Sequence, residues 1–173
     1  MRKLLLLLLV VMLSAVVSSS LLAYYYFRDE AGFLSPVGLM PIRIRNDAYG
    51  DGRFGADRKN GRAHQGIDIL APIGMPVVAV KSGIARSGYD KGGYGNYVEI
   101  YHRGKLITLY GHLMDTPIKK MRIVRQGEVV GWAGKDGNAN HKNLKPHIHF
   151  EVKENGVLID PLTKIHGTPE KSK

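Results

Sequence analysis

In the segment Pro146-His147-Ile148-His149-Phe150-Glu151-Val152, polar and apolar residues alternate without a break. Side chains two apart on an extended strand point the same way, so His147, His149 and Glu151 share one face while Ile148, Phe150 and Val152 share the other. The stretch is therefore a strand with one core face and one face equipped for chemistry. Runs of the same period recur. Asn96 to His102 and Leu106 to His112 flank Arg103-Gly104-Lys105 and predict a hairpin. His147 to Glu154 and Val157 to Ile159 flank Asn155-Gly156, the strongest two-residue hairpin signal. Val77 to Val80, Gly83 to Arg86 and Gly127 to Ala133 are further strand candidates. Helix signals are almost absent beyond residue 50, so an all-β antiparallel domain is expected.

The amino terminus has a different character. After Met1-Arg2-Lys3, residues Leu4 to Phe27 carry no charge and are apolar apart from Ser14 and Ser18 to Ser20. As a helix rising about 1.5 Å per residue the run covers roughly 36 Å, enough to cross a hydrocarbon core of about 30 Å. Positive charge ahead of it places the amino terminus in the cytoplasm and the domain outside the membrane. The run continues from Leu21 to Phe27, past the serines where a signal peptidase would cut, which favours an uncleaved anchor over a removed signal peptide. The expected organisation is an anchor or signal segment over 1–28, a linker over 29–50, one domain over 51–165 and a polar tail over 166–173. A chain of 173 residues has room for one such domain.

Lysine and arginine outnumber aspartate and glutamate 25 to 15, a formal charge of +10. Export, and the lack of a long basic helix or an aromatic RNA-binding motif, argue against nucleic acid and leave two readings, an anionic envelope polymer or membrane surface as the partner or a solvated basic face with none. The chain has no cysteine. It therefore has neither a lipid-attachment thiol nor disulfides, and any metal site must use histidine, aspartate and glutamate.

His64-Gln65-Gly66-Ile67-Asp68-Ile69 repeats the arithmetic of the His-x-His strand: His64 and Asp68 project together across Gly66, while Ile67 and Ile69 turn inward. Gly66 is expected to leave room for an ion or a substrate. Two imidazoles and a carboxylate with an open fourth position suit catalytic zinc. His112 ends the return strand of the first hairpin, where alternation places it on the face of Thr108 and Tyr110. His102 sits at a turn, His141 in a polar loop and His166 in the tail, and none of the three is expected to take part.

Five ordered blocks from about Asp51 to Pro161 resemble the lysostaphin-type (LytM-like) zinc metallopeptidases. They are His64 to Ile69 with Ala71-Pro72-Ile73-Gly74-Met75-Pro76-Val77, Gly93-Tyr94-Gly95-Asn96-Tyr97-Val98, Tyr110-Gly111-His112-Leu113, Gly127 through Gly134, and Pro146 to Glu151. The resemblance implies a split antiparallel β-fold with a substrate groove across the sheet. It implies zinc bound by His64, Asp68 and His149, with His112 and His147 off the metal handling protons and the developing oxyanion. It also implies an envelope-located monomer that cuts stem or bridge peptides of peptidoglycan. The rival expectations are a non-catalytic wall-binding or amidase-activating module of the same fold, and an exported zinc peptidase acting on a protein.

This chain departs from relatives in two places. Relatives often have a Ser-Thr-Gly type lead into the His-x-His strand, whereas here the residues are Asp136 to Lys145. Some relatives also carry a tyrosine a few residues before the first ligand, where this chain has Arg58. That arginine is expected to bind the oxyanion or a substrate carboxylate, or else to form a surface salt bridge.

Overall fold

A computed structural model describes residues 2–26, 28, 29, 32–38, 41–58 and 61–165. Phe27 and the polar tail 166–173, with His166, lie outside the described residues. Residues Arg2–Tyr26 form helix α1, whose membrane-span candidate makes no buried contact with the rest of the chain and has a mean hydropathy of 2.6. Its length and composition suffice to cross a membrane, a test that signal sequences also pass.

The remainder is antiparallel β. In chain order the strands are β1 (Asn46–Asp47), β2 (Gly50–Asp51), β3 (Ile67–Leu70), β4 (Pro76–Val78), β5 (Gly83–Asp90), β6 (Gly95–His102), β7 (Leu106–Asp115), β8 (Arg122–Val124), β9 (Val129–Ala133), β10 (His147–Glu154) and β11 (Val157–Ile159). Strands β1 and β2 form a small ribbon. The others form one sheet in the order β11-β10-β7-β6-β5-β8, with β3 added to β10 and the β4–β9 pair joined through β9 to β7.

Both expected hairpins form, β6–β7 and β10–β11. In the second, Asn155 and Gly156 adopt φ of 51° and 84°, the two positive values that match a tight turn to the twist of its strands. Strand β5 runs four residues beyond its expected end, through Ser87-Gly88-Tyr89-Asp90, which carry no apolar alternation. Pairing with β6 extends it, and the Tyr97 ring lies where a Gly88 side chain would stand. The β9 strand starts two residues late because Gly127 (φ 79°) and Glu128 are still in a turn.

The core is the inward face that alternation predicts: Ile67, Ile69, Val98, Ile100, Tyr110, Ile148, Phe150 and Val152 are all fully buried. Part of the stretch read as a linker is built into it. Phe33, Val37 and Ile42 are buried, and Phe33, Val37 and Ile44 bridge to Ile165, Val77 and Ile69.

Candidate active site

Strands β3 and β10 run antiparallel in a register that sets His149 opposite Asp68 and Ile148 opposite Ile69. The apolar partners fill the core and the polar ones meet on the outer face. His64, just ahead of β3, completes a buried trio. His149 Nδ1 is 2.9 Å from Asp68 Oδ1 and 3.0 Å from His64 Nε2, and His64 Nε2 is 3.2 Å from Asp68 Oδ1. Among the described residues these three offer donor atoms close enough to hold one metal ion. Gly66 does not leave space for that ion. A side chain there would collide with the Phe150 carbonyl and Glu151 Cγ, so its role is to let β3 close on β10.

Each donor is aimed by a second contact. His64 Nδ1–H donates to the Arg53 carbonyl at 2.9 Å, which turns the Nε2 lone pair inward. His149 Nε2–H donates to Glu151 Oε1 at 2.9 Å, leaving Nδ1 toward Asp68, and Tyr94 Oη donates to the same oxygen at 2.8 Å. Asp68 keeps Oδ1 for the site because Oδ2 accepts from Arg45 at 2.9 Å and Arg58 at 3.1 Å. Arg58 is thus paired with the candidate metal ligand itself. Burial alone would raise the Asp68 carboxyl, but its close contacts with His149 first and then with His64 outweigh it and hold it far below the usual carboxylate range. Burial disfavours a charged His149, yet its bonds to Asp68 and Glu151 push it up to about 9. The raised His149 disposes the metal-free trio to hold a proton on His149, beside Asp68.

His147 and His112 stand beside it, their rings 5.1 Å apart edge to face. His147 reaches the site by plain alternation. For His112 the alternation expectation is wrong. Tyr110 is fully buried against Phe150, and continuing that pattern would bury His112 in the core. Instead its backbone turns into the left-handed region (φ 59°), and the β6–β7 register shifts between Asn96 and Val98. Its ring consequently lies on the outer face, 5.9 Å from His149. Such a conformation costs a non-glycine residue of the order of 1–3 kcal/mol and is typical of functional sites. Each ring donates Nδ1–H to a carbonyl, His112 to Asp136 at 2.9 Å and His147 to Lys145 at 2.7 Å, so both present Nε2. Burial, reinforced by the neighbouring His147 and His149, lowers His112 to about 3, and burial lowers His147 too.

The five residues line an open cavity of about 750 Å³. Its wall includes the loop that departs from relatives. Asp136 accepts from the Asn96 backbone and side chain, and Gly137 packs backbone to backbone against Gly93 and Gly95, which fixes the carbonyl that holds His112. His141, set aside on sequence, lies on the cavity rim 4.7 Å from the Tyr49 ring. His102 is structural, bonded to the Ser82 carbonyl and Thr108 Oγ1.

Arg45 and Asp136 escaped the sequence reading. Arg45 sits in an aperiodic stretch, and Asp136 acts through its main chain. Glu151 was legible as a face-mate of His149, and Tyr94 lay in a recognised block, though neither pattern showed that they meet.

Residues 62–161 match the family model described as Peptidase family M23. The chain is 40% identical over 109 residues to the DD-carboxypeptidase/endopeptidase Mpg of Neisseria meningitidis serogroup B, a match covering 63% of this chain and 24% of that protein. It thus spans about a quarter of the length of such curated relatives. Among solved structures, the catalytic domain of lysostaphin from Staphylococcus simulans is 30% identical with a TM-score of 0.54, covering 67% of this chain and 88% of that one. A zinc-containing peptidase from Vibrio cholerae is 27% identical with a TM-score of 0.59, covering 75% and 39%. Since the family match takes in more than half of the sequence and every residue of the trio, the chain belongs to peptidase family M23, a family of metallopeptidases.

Proposed function

We propose that this chain is a zinc endopeptidase that hydrolyses peptide cross-links or stem peptides of bacterial peptidoglycan, held at the cell envelope by α1. The observation that carries the reading is one floor of one cavity on which a buried His64–Asp68–His149 trio adjoins two uncharged imidazoles. The donor set fits zinc: its separations of 2.9–3.2 Å approach the roughly 3.3–3.4 Å between ligands at about 2.0–2.1 Å on a tetrahedral ion. Two neutral nitrogens and one carboxylate oxygen, without sulfur, leave a net positive centre with a position open to the cavity. A zinc ion held there supplies the Lewis acidity that brings the ionisation of water near neutral pH and polarises an amide carbonyl.

The protein's own groups do the rest. His112 and His147, neutral because burial disfavours their charged forms, present Nε2 to the cavity, where either accepts a proton from the attacking water and returns it to the departing amine. Asp136 and Lys145 lend their carbonyls to hold those tautomers. The names of the relatives, one of them a peptidoglycan DD-endopeptidase of Vibrio cholerae, support the substrate class.

The zinc assignment has a calorimetric signature. Because His149 in the metal-free site titrates at about 9, loading zinc at pH 7 should expel about one proton per chain, and affinity should rise about tenfold per pH unit until that proton is gone near pH 9. Titration in buffers of different ionisation enthalpy measures the release. Zinc uptake with no proton release would contradict the ligand role of His149 Nδ1.

A further inference from the structure

The domain has two ends, and the catalytic cavity occupies only one of them. Asp29, three residues after the end of α1, accepts from the Ser82 backbone at 3.0 Å and pairs with Lys81 at 3.5 Å. Three residues of chain reach at most about 11 Å, so an embedded α1 keeps this part of the domain at the lipid headgroups. Lys81 and Ser82 lead into β5 at the end of the sheet that also carries the β6–β7 turn (Arg103-Gly104-Lys105) and the β10–β11 turn (Asn155-Gly156). Asn155 N–H bonds to the Lys105 carbonyl, and His102 and Gln126 bond to Ser82, which ties these loops into one tip.

The tip is basic and partly apolar. Among the described residues its acids are spent internally, Asp29 on Lys81, Glu154 on Lys164 and Glu128 on Arg122. Exposed Arg103 and Lys105 take part in no ion pair among the described residues. Ile84 and Ile123, paired across β5 and β8, are 46% and 50% exposed, and Val157 beside the β10–β11 turn is 62% exposed. The catalytic cavity lies at the other end of the same strands, where Asp90 closes β5 and His147 opens β10. Seven steps of about 3.3 Å separate Gly83 from Asp90, or roughly 23 Å.

We propose that this tip docks on an anionic phospholipid surface, the face of the membrane that α1 enters, and holds the catalytic cavity some 20 Å above the headgroups. Apolar side chains flanked by unpaired cations suit the interfacial zone, where each cation near an anionic surface contributes about a fivefold preference. The proposal rests on the reading that α1 stays attached as an anchor.

The absence of cysteine makes the test direct. Full-length chains carrying Val157→Cys, Ile123→Cys or Asn143→Cys, each with one spin label, are placed in vesicles of phosphatidylcholine with phosphatidylglycerol and probed with nickel chelated on the lipid headgroups. Labels at 157 and 123 should relax strongly and the label at 143, near the cavity, should not. Arg103→Glu with Lys105→Glu, or vesicles of phosphatidylcholine alone, should reduce the docked population by on the order of tenfold, while cleavage of a soluble peptide is unchanged. A chain that resists an alkaline carbonate wash but whose three labels respond alike overturns the docking alone. A chain that washes out of the vesicles, or a mature terminus beyond Ser18 in cells, overturns the anchor reading and the docking with it.

Discussion

Alanine in place of His64, Asp68 or His149 should empty the metal centre, whereas alanine in place of His112 or His147 should leave zinc near one per chain and still slow peptide cleavage by on the order of 10²-fold or more. The two classes differ because the first three converge donor atoms on one point, while the other two offer Nε2 only to the cavity. The ligand variants lose activity for lack of metal, and also lose whatever stability the ion gives by pinning β3 to β10. Zinc content and rate should therefore part company across the five. A His147→Ala chain that loses zinc while His149→Ala keeps it would reverse the ligand assignment.

The largest effect on stability is expected at Arg45, a buried residue in the wall of the same cavity. Arg45 is 3% exposed and bonds Asp47 Oδ1 at 2.6 Å and Asp68 Oδ2 at 2.9 Å. Arg45→Met leaves part-buried Asp47 without this cation and buried Asp68 with Arg58 alone, and removing one partner of a buried ion pair costs about 3–5 kcal/mol. For a domain of this size that lowers Tm by roughly 10–20 °C. Lys164→Met, which breaks the half-exposed pair with Glu154, should move Tm far less, because exposed pairs contribute little. Calorimetry of the metal-free chains compares the two directly, and similar shifts would refute a special role for Arg45. Zinc should restore part of the loss in Arg45→Met, since the metal replaces the missing positive charge beside Asp68.

The strands and the polar face of β10 were legible because period-two alternation is a local property, carried by neighbouring residues such as Ile148, Phe150 and Val152. The convergence of His64, Asp68 and His149 needed the resemblance as well, since the register that brings residues 68 and 149 together is set by tertiary packing. At His112 periodicity and structure part. Its periodicity points to the core, and only a left-handed backbone and a register shift return it to the site. Arg45 was hidden for another reason. Its neighbours join the domain through isolated bridges and single buried side chains, which leave no repeating pattern in the sequence. Asp136 positions His112 through a carbonyl oxygen that every residue type possesses, so side-chain chemistry carried no signal for it.

The central claim, cleavage of wall peptides by this site, is tested most directly by mass spectrometry of fragments released from defined cross-linked peptidoglycans. The zinc-loaded chain should release peptides with new amino and carboxyl termini at one amide type, and the His147→Ala chain with its zinc retained should release them at least about 10²-fold more slowly. A zinc-loaded parent that releases nothing from any peptidoglycan, or a His147→Ala chain that matches it, would contradict the account.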